Sequence, residues 1–233
     1  MKKKTKKIII IIIAIIMILL GGFWWYVSDY YRADEVAVNI LNSADNLEFL
    51  DDLIVVEASE PSDTALIFYP GAKVEYTAYL PILEKLSDNG ITSVLVKMPF
   101  NMAIFDADAA DKVFDQLPDI QNWFIGGHSM GGAMASSYAS DNMDKLSGLI
   151  LLGAYIYQDV SPSDALTIYG TFNDNLEKNI DYTENIVIIE GGNHAQFGNY
   201  GLQKNDPIAT ISSDEQQNIA VAAIIDFIAE KTK

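Results

Sequence analysis

The chain has 233 residues, half of them hydrophobic, and no cysteine. It can bury one sizeable core but not two large ones, it is too apolar to be disordered, and it carries no disulfide framework. Its formal net charge is −17. Five of its 15 basic residues precede Ile8, so ten remain against 32 acids in the rest. That balance argues against nucleic acid, which is bound through Lys and Arg at phosphates, and fits a solvated acidic surface.

Residues 1–27 predict a membrane anchor. Ile8 to Leu20 is an unbroken apolar run with no polar face, and Gly21 to Val27 extends it. About 20 residues at 1.5 Å each cross a hydrocarbon core of ~30 Å. Lys2, Lys3, Lys4, Lys6 and Lys7 precede the run, and Trp24, Trp25 and Tyr26 follow it. Lysines stay cytoplasmic and aromatics sit at the interface, so the remainder is expected outside the cell. A cleaved signal peptide is the rival, but it needs small residues after the apolar core, where this chain has Phe-Trp-Trp-Tyr.

Residues 28–52 read as a stalk or lead-in helix, and 53–233 as the main domain. In that domain seven short apolar runs suit strands buried on both faces: Ile54–Val56, Ala65–Tyr69, Ser93–Val96, Trp123–Ile125, Gly148–Leu152, Leu166–Tyr169 and Ile186–Ile189. Helical patterns lie between or after them, at Tyr76–Asn89, Ala103–Leu117, Met130–Met143 and Asp214–Lys231. The last follows a Ser-x-x-Glu capping box at Ser212–Glu215. Strands alternating with helices predict a mainly parallel sheet covered on both faces, with its site at the carboxyl ends of the strands. The short stretch from Gly153 to Ala165 leaves no room for a large lid.

"GGHSMGG" at Gly126–Gly132 sits where a strand turns into a helix. It contains Gly-x-Ser-x-Gly, the pattern of a strained turn that exposes a serine at a helix N-terminus, where negative charge is favoured. Gly127 and Gly131 remove side chains that would collide there. Ser129 is therefore the candidate nucleophile, and a plain Gly-rich turn the bland alternative. A serine needs a base, and the chain has two histidines. His128 is next to Ser129 and should point away from it. His194 follows the run Ile186–Ile189, on the same edge, and is the candidate base. Asp174 follows the run that ends at Tyr169–Gly170 and is the candidate acid. Asp159 and the more remote Glu190 are substitutes, and Asp164 lies at the wrong end. Met130 N–H and Ala72 N–H, the latter in Tyr69-Pro70-Gly71-Ala72, are candidate oxyanion donors. Pro70 cannot donate. Tyr69, Tyr76 and Phe197, with Met98, Phe100 and Tyr200, are candidates to line a partly apolar pocket. With so few soft ligands, no metal or cofactor is expected.

Through "YPGAKVEYTAY", "GGHSMGG" and "EGGNHAQFGNYG", residues 53–231 resemble the α/β-hydrolase superfamily. More narrowly they resemble bacterial membrane-anchored hydrolases related to dienelactone hydrolase. The resemblance implies an α/β-hydrolase fold and a triad of Ser129, Asp174 and His194, with Met130 and Ala72 as oxyanion donors. Relatives place the acid three residues after the strand-ending glycine, whereas Asp174 is the fourth after Gly170. Dienelactone hydrolases use a cysteine nucleophile, which this chain lacks. The function expected is a serine hydrolase of a small ester-like substrate. A peptidase or transacylase with the same triad, or a surface binding protein on the same fold, would look similar in sequence.

Overall fold

The computed structural model describes residues 3–233, without the side chains of Lys3 and Asp174. It falls into two units, 1–30 and 31–233. The first is helix α1, Lys3–Ser28. From Lys4 onward α1 is long and apolar enough to cross a membrane, and its isoleucines and leucines are exposed.

The second unit runs α2 (Glu35–Ser43), β1 (Leu47–Leu50), β2 (Leu53–Val56), β3 (Thr64–Tyr69), α3 (Leu80–Ser87), β4 (Thr92–Val96), β5 (Asn122–His128), α4 (Met130–Asn142), β6 (Gly148–Leu152), β7 (Ala165–Gly170), α5 (Asp174–Glu177), β8 (Ile186–Ile189) and α6 (Ser213–Lys231). The strands form one sheet in the order β1-β2-β4-β3-β5-β6-β7-β8. β1 and β2 are antiparallel to their neighbours, and all pairs from β4 to β8 are parallel. This is the α/β-hydrolase fold that the resemblance implied. It puts the carboxyl ends of β3, β5, β6, β7 and β8 along one rim.

Period-2 alternation divides the core between the two faces of the sheet. Leu66 and Phe68 of β3 join Leu83, Leu86, Ile224 and Phe227 of α3 and α6 on one face. Ala65, Ile67 and Tyr69 join Ala135, Tyr138 and Ala139 of α4 on the other. Burying each large side chain in this way contributes roughly 1.5–3 kcal/mol relative to leaving it exposed. At the start of α6 Ser212 Oγ accepts the Glu215 N–H at 3.1 Å, the cap that its sequence announces.

Two stretches hold structure that their sequence patterns do not spell out. Residues 31–52, read as part of a stalk or lead-in helix, supply α2 and the edge strand β1. Asp34 caps α2 by accepting the Val36 and Ala37 N–H groups, and Ile40 and Leu41 pack on the core. The stretch 103–117, expected to be a helix, is instead a chain of 3₁₀ turns. The buried Tyr69 phenol accounts for this. Its hydroxyl donates to the Ala107 carbonyl at 2.9 Å and accepts the Ala110 N–H at 2.7 Å. Those are groups that an α-helix would bond to one turn away.

Candidate active site

β5 ends at His128 and α4 begins at Met130, with Ser129 alone between them at φ 54°, ψ −122°. A non-glycine residue in this region carries strain that the surrounding structure must hold. Here the Ser129 N–H donates to the Leu152 carbonyl at 3.0 Å, and the Ala133 N–H donates back to the Ser129 carbonyl at 3.0 Å. A Cβ on Gly131 would collide with the Tyr69 and Pro70 carbonyl oxygens, and one on Gly127 with the backbone of Gly131 and Gly132. The two glycines thus allow the loop after β3 to press against the head of α4. The Ser129 side chain is half-buried. Its hydroxyl makes no hydrogen bond among the described residues, and no acid occupies the first turn of α4.

The same approach sets the loop that carries Ala72 against the head of α4. Met130 opens α4, so its N–H has no partner within the helix. In the loop after β3, Gly71 N–H donates to Tyr79 Oη at 3.0 Å and Lys73 N–H to the Asn101 carbonyl at 2.8 Å. The Ala72 N–H between them is unpaired among the described residues. Two free donors near a helix N-terminus favour negative charge beside Ser129.

His194 lies on the loop after β8 and reaches the same rim. A Cβ built on Gly153, the residue after β6, would sit 3.0 Å from His194 Nδ1. Ser129 is bonded to Leu152, one residue earlier. The structure thus brings His194 and Ser129 to the same end of β6. The His194 loop is held from behind by α6. Gln216 accepts the Asn193 N–H at 3.0 Å and donates to the Asn193 carbonyl at 2.9 Å, and Gln217 donates to the Gln196 carbonyl at 3.1 Å. Asp206 accepts the His194 N–H at 3.3 Å and the Ala195 N–H at 2.8 Å. Burial pushes the His194 imidazole below its ordinary value, and the Asp206 charge pushes it back up.

The third position concerns the turn after β7. Asp174 opens α5, and its side chain lies outside the described residues. Among the described residues, the side chain that meets His194 Nδ1 is Asn173, whose Nδ2 lies 3.0 Å away. Asn173 is the third residue after Gly170, the offset at which the resemblance implied an acid. Asp159 and Glu190 are exposed, and Asp164 pairs with Lys231 at 2.6 Å.

His128 turns away from the reaction side, as its place beside Ser129 implies. It is buried, with its ring 4.5 Å from that of His194 between centroids. Its Nε2 donates to the His194 carbonyl at 3.0 Å and its Nδ1 lies 2.7 Å from Tyr79 Oη. Burial first, and then the neighbouring His194, push its basicity well down, so it is neutral.

Two expected pocket residues need correction. Tyr69 and Phe197 are fully buried, the first packed beneath the loop at 103–117 and the second in the core beside His128. Each was read from its closeness in sequence to the site, and strand alternation or loop packing turns each inward. Tyr76 stays half-buried at the start of a 3₁₀ turn. Sequence reading missed Asn173, Asp206, Gln216 and Gln217. Only Asn173 had a signal, its offset from Gly170. Among the described residues no cluster of three or more acids or histidines gathers to hold a metal.

The sequence pattern of the alpha/beta hydrolase family matches residues 65–218. Among solved structures, MenH from S. aureus superposes with a TM-score of 0.55 at 13% identity, covering 79% of this chain and 100% of that one. Dienelactone hydrolase from Anabaena variabilis gives 0.52 at 16%, covering 75% and 90%. Ferulic acid esterase from Streptomyces cinnamoneus gives 0.56 at 14%, covering 74% and 68%. No curated protein matches the chain. At these identities the likeness is one of fold.

Proposed function

Because this chain belongs to the alpha/beta hydrolase family, we propose that it is a serine hydrolase that cleaves a small carboxylic ester or related acyl compound, held at a membrane by its N-terminal helix. One observation carries the reading. Ser129 stands in a strained conformation at the head of α4, with His194 at the same end of β6 and with N–H groups at Met130 and Ala72 that are unpaired among the described residues.

In this reading Ser129 Oγ attacks the acyl carbon while His194 Nε2 takes its proton. The carbonyl oxygen becomes an oxyanion that accepts from the Met130 and Ala72 N–H groups. In one measured system each such donor contributed about 2.7–4 kcal/mol. The intermediate expels the alcohol, which receives the proton from His194. Water, deprotonated by the same imidazole, then cleaves the acyl-enzyme and restores the Ser129 hydroxyl. Two of the fold neighbours carry ester or lactone hydrolysis in their names, which supports an ester over a peptide.

The five lysines ahead of the apolar run favour an uncleaved anchor with the catalytic domain outside the cell. Protease added to intact cells should then degrade the domain and leave α1.

A fluorophosphonate probe tests the chemistry. It should label the wild-type chain at Ser129 and spare Ser129→Ala, and a panel of chromogenic esters should be hydrolysed by the former alone. A folded chain that takes no label would instead favour a binding protein on this fold, a reading to which the amide at Nδ1 gives some support.

A further inference from the structure

A histidine that takes a proton from serine needs Nε2 bare, and therefore Nδ1 protonated and given an acceptor. In this chain a carboxamide stands at Nδ1. Its placement follows from backbone stitching between the loops after β7 and β8. Thr171 N–H donates to the Ile189 carbonyl at 3.0 Å, Phe172 N–H to the Gly192 carbonyl at 3.0 Å and Asn173 N–H to the Gly170 carbonyl at 2.9 Å. This tight turn aims residue 173 at the His194 ring and carries the chain on into α5.

A carboxamide has two ends of nearly equal shape and opposite polarity. With Nδ2 towards His194, the amide donates to Nδ1 and the ring proton sits on Nε2, where no base is left for Ser129. Turned half a revolution about Cβ–Cγ, it presents Oδ1, which accepts from Nδ1–H and leaves Nε2 bare. Among the described residues nothing bonds the other end of the Asn173 amide.

An amide brings no charge to stabilise the imidazolium. Asp206 is placed to do so. Its two oxygens take the backbone N–H groups of His194 and Ala195. Asn173, His194, Lys204 and Asp206 line one polar cleft of about 320 Å³.

We propose that Asn173 Oδ1 fixes the His194 tautomer and that Asp206, through the backbone of the same loop, supplies the negative charge a triad carboxylate would have given. Both are positioning residues, and the proposal rests on His194 being the base of a serine hydrolase. Among the described residues the titratable groups around the ring are Asp206 on the loop before α6, His128 at the end of β5 and Lys204 on the cleft rim. Burial lowers the imidazole pKa and the neutral amide does not restore it, so His194 stays an unprotonated base into mildly acid solution. The acid limb of kcat/KM therefore lies below the ordinary histidine value.

The two-histidine composition makes the test direct. Full-length chain in detergent micelles, labelled with ¹⁵N and ¹³C only in histidine, gives two imidazole spin systems, assigned by His128→Gln. Wild-type His194 should show the Nδ1–H tautomer. Asn173→Asp, nearly isosteric, should keep that tautomer and raise the His194 pKa by about one to three units, the effect of a carboxylate within a few ångströms. The acid limb of kcat/KM for a chromogenic ester should move up by the same amount. Asp206→Asn should move both down. Asn173→Ala should lower kcat about tenfold or more with KM little changed, because orientation and not binding is lost.

A wild-type Nε2–H tautomer, or an Asn173→Asp chain whose His194 titrates where wild type does, overturns the proposal. Fluorophosphonate labelling of Ser129 in the same samples separates the two claims. Labelling with an unresponsive His194 leaves the hydrolase and removes this proposal. A responsive His194 without labelling removes the hydrolase.

Discussion

The Tyr79 hydroxyl and His128 Nδ1 lie 2.7 Å apart in the fully buried interior, and the bonds around them fix each proton. His128 Nε2 faces a carbonyl, that of His194, and so must donate to it. Nδ1 is then the acceptor, and the Tyr79 O–H donates to it. The Tyr79 oxygen in turn accepts the Gly71 N–H at 3.0 Å. One directed chain of hydrogen bonds thus joins the loop that carries Ala72, the strand that ends at His128 and the loop that carries His194.

Removing the middle of that chain should loosen both ends. Tyr79→Phe keeps the ring in the core but leaves Gly71 N–H and His128 Nδ1 buried and unpaired. Each orphaned group costs about 1–3 kcal/mol. We expect a loss of stability of that order in urea unfolding. Ester turnover by the folded fraction should also fall, because the loop that carries Ala72 is no longer braced.

The Gly131 contact gives a sharper expectation. Gly131→Ala puts a methyl group where the Tyr69 and Pro70 carbonyls now sit, and backbone has little freedom to yield. Overpacking of this kind costs typically 1–3 kcal/mol. The loop after β3 must retreat and take Ala72 with it. The variant should still fold, by circular dichroism, while kcat drops at least tenfold and KM changes little. A retained kcat would show that the loop does not supply an oxyanion donor.

Both histidines also make stability depend on pH. Burial lowers each below its ordinary value near 6.5. In the unfolded chain they protonate as pH falls through 6.5, and in the folded chain they do not. The unfolded state therefore binds more protons in that window and stability falls with pH. The limit is about 1.4 kcal/mol per pH unit for each histidine. Unfolding free energies should be highest above pH 6.5 and decline towards pH 5. His128→Gln should flatten that slope. An equal slope in the variant would place the linkage elsewhere.

What the sequence revealed and what it hid follow from how each element is stabilised. Seven strands were legible because parallel strands buried on both faces read as continuous apolar runs. β1, by contrast, is a four-residue edge strand with Glu48 and Phe49 outward, too short and too polar to leave a pattern. Ser129 was legible because its turn demands glycines at fixed offsets. His194 was legible because few alternatives exist. The contact of Asn173 with Nδ1 was not, because the turn that aims residue 173 at the ring is set by bonds to Ile189 and Gly192, far along the chain. Asp206, Gln216 and Gln217 act on the backbone of the His194 loop, and such roles leave no local signature.

Tyr69 is the last case, and the one where pattern and packing part most clearly. Its place beside Pro70 and Gly71 suggests a pocket residue, yet strand alternation sends its side chain to the α4 face of the sheet. There its hydroxyl takes the Ala107 carbonyl and the Ala110 N–H, and burial pushes its ionisation far above the ordinary tyrosine value. Tyr69→Phe would leave both backbone groups unpaired under the ring. They could regain partners by winding 103–112 into the α-helix that its sequence favours, or the segment could fray into water. The chain should lose about 1–3 kcal/mol of stability, and hydrogen exchange should speed up at Ala110 and its neighbours ahead of the strands. Ester turnover by the folded fraction should stay within about twofold of wild type, since 1.4 kcal/mol is a factor of ten and no group of the reaction is displaced. A tenfold fall in kcat with unchanged exchange at 107–112 would return Tyr69 to the active site.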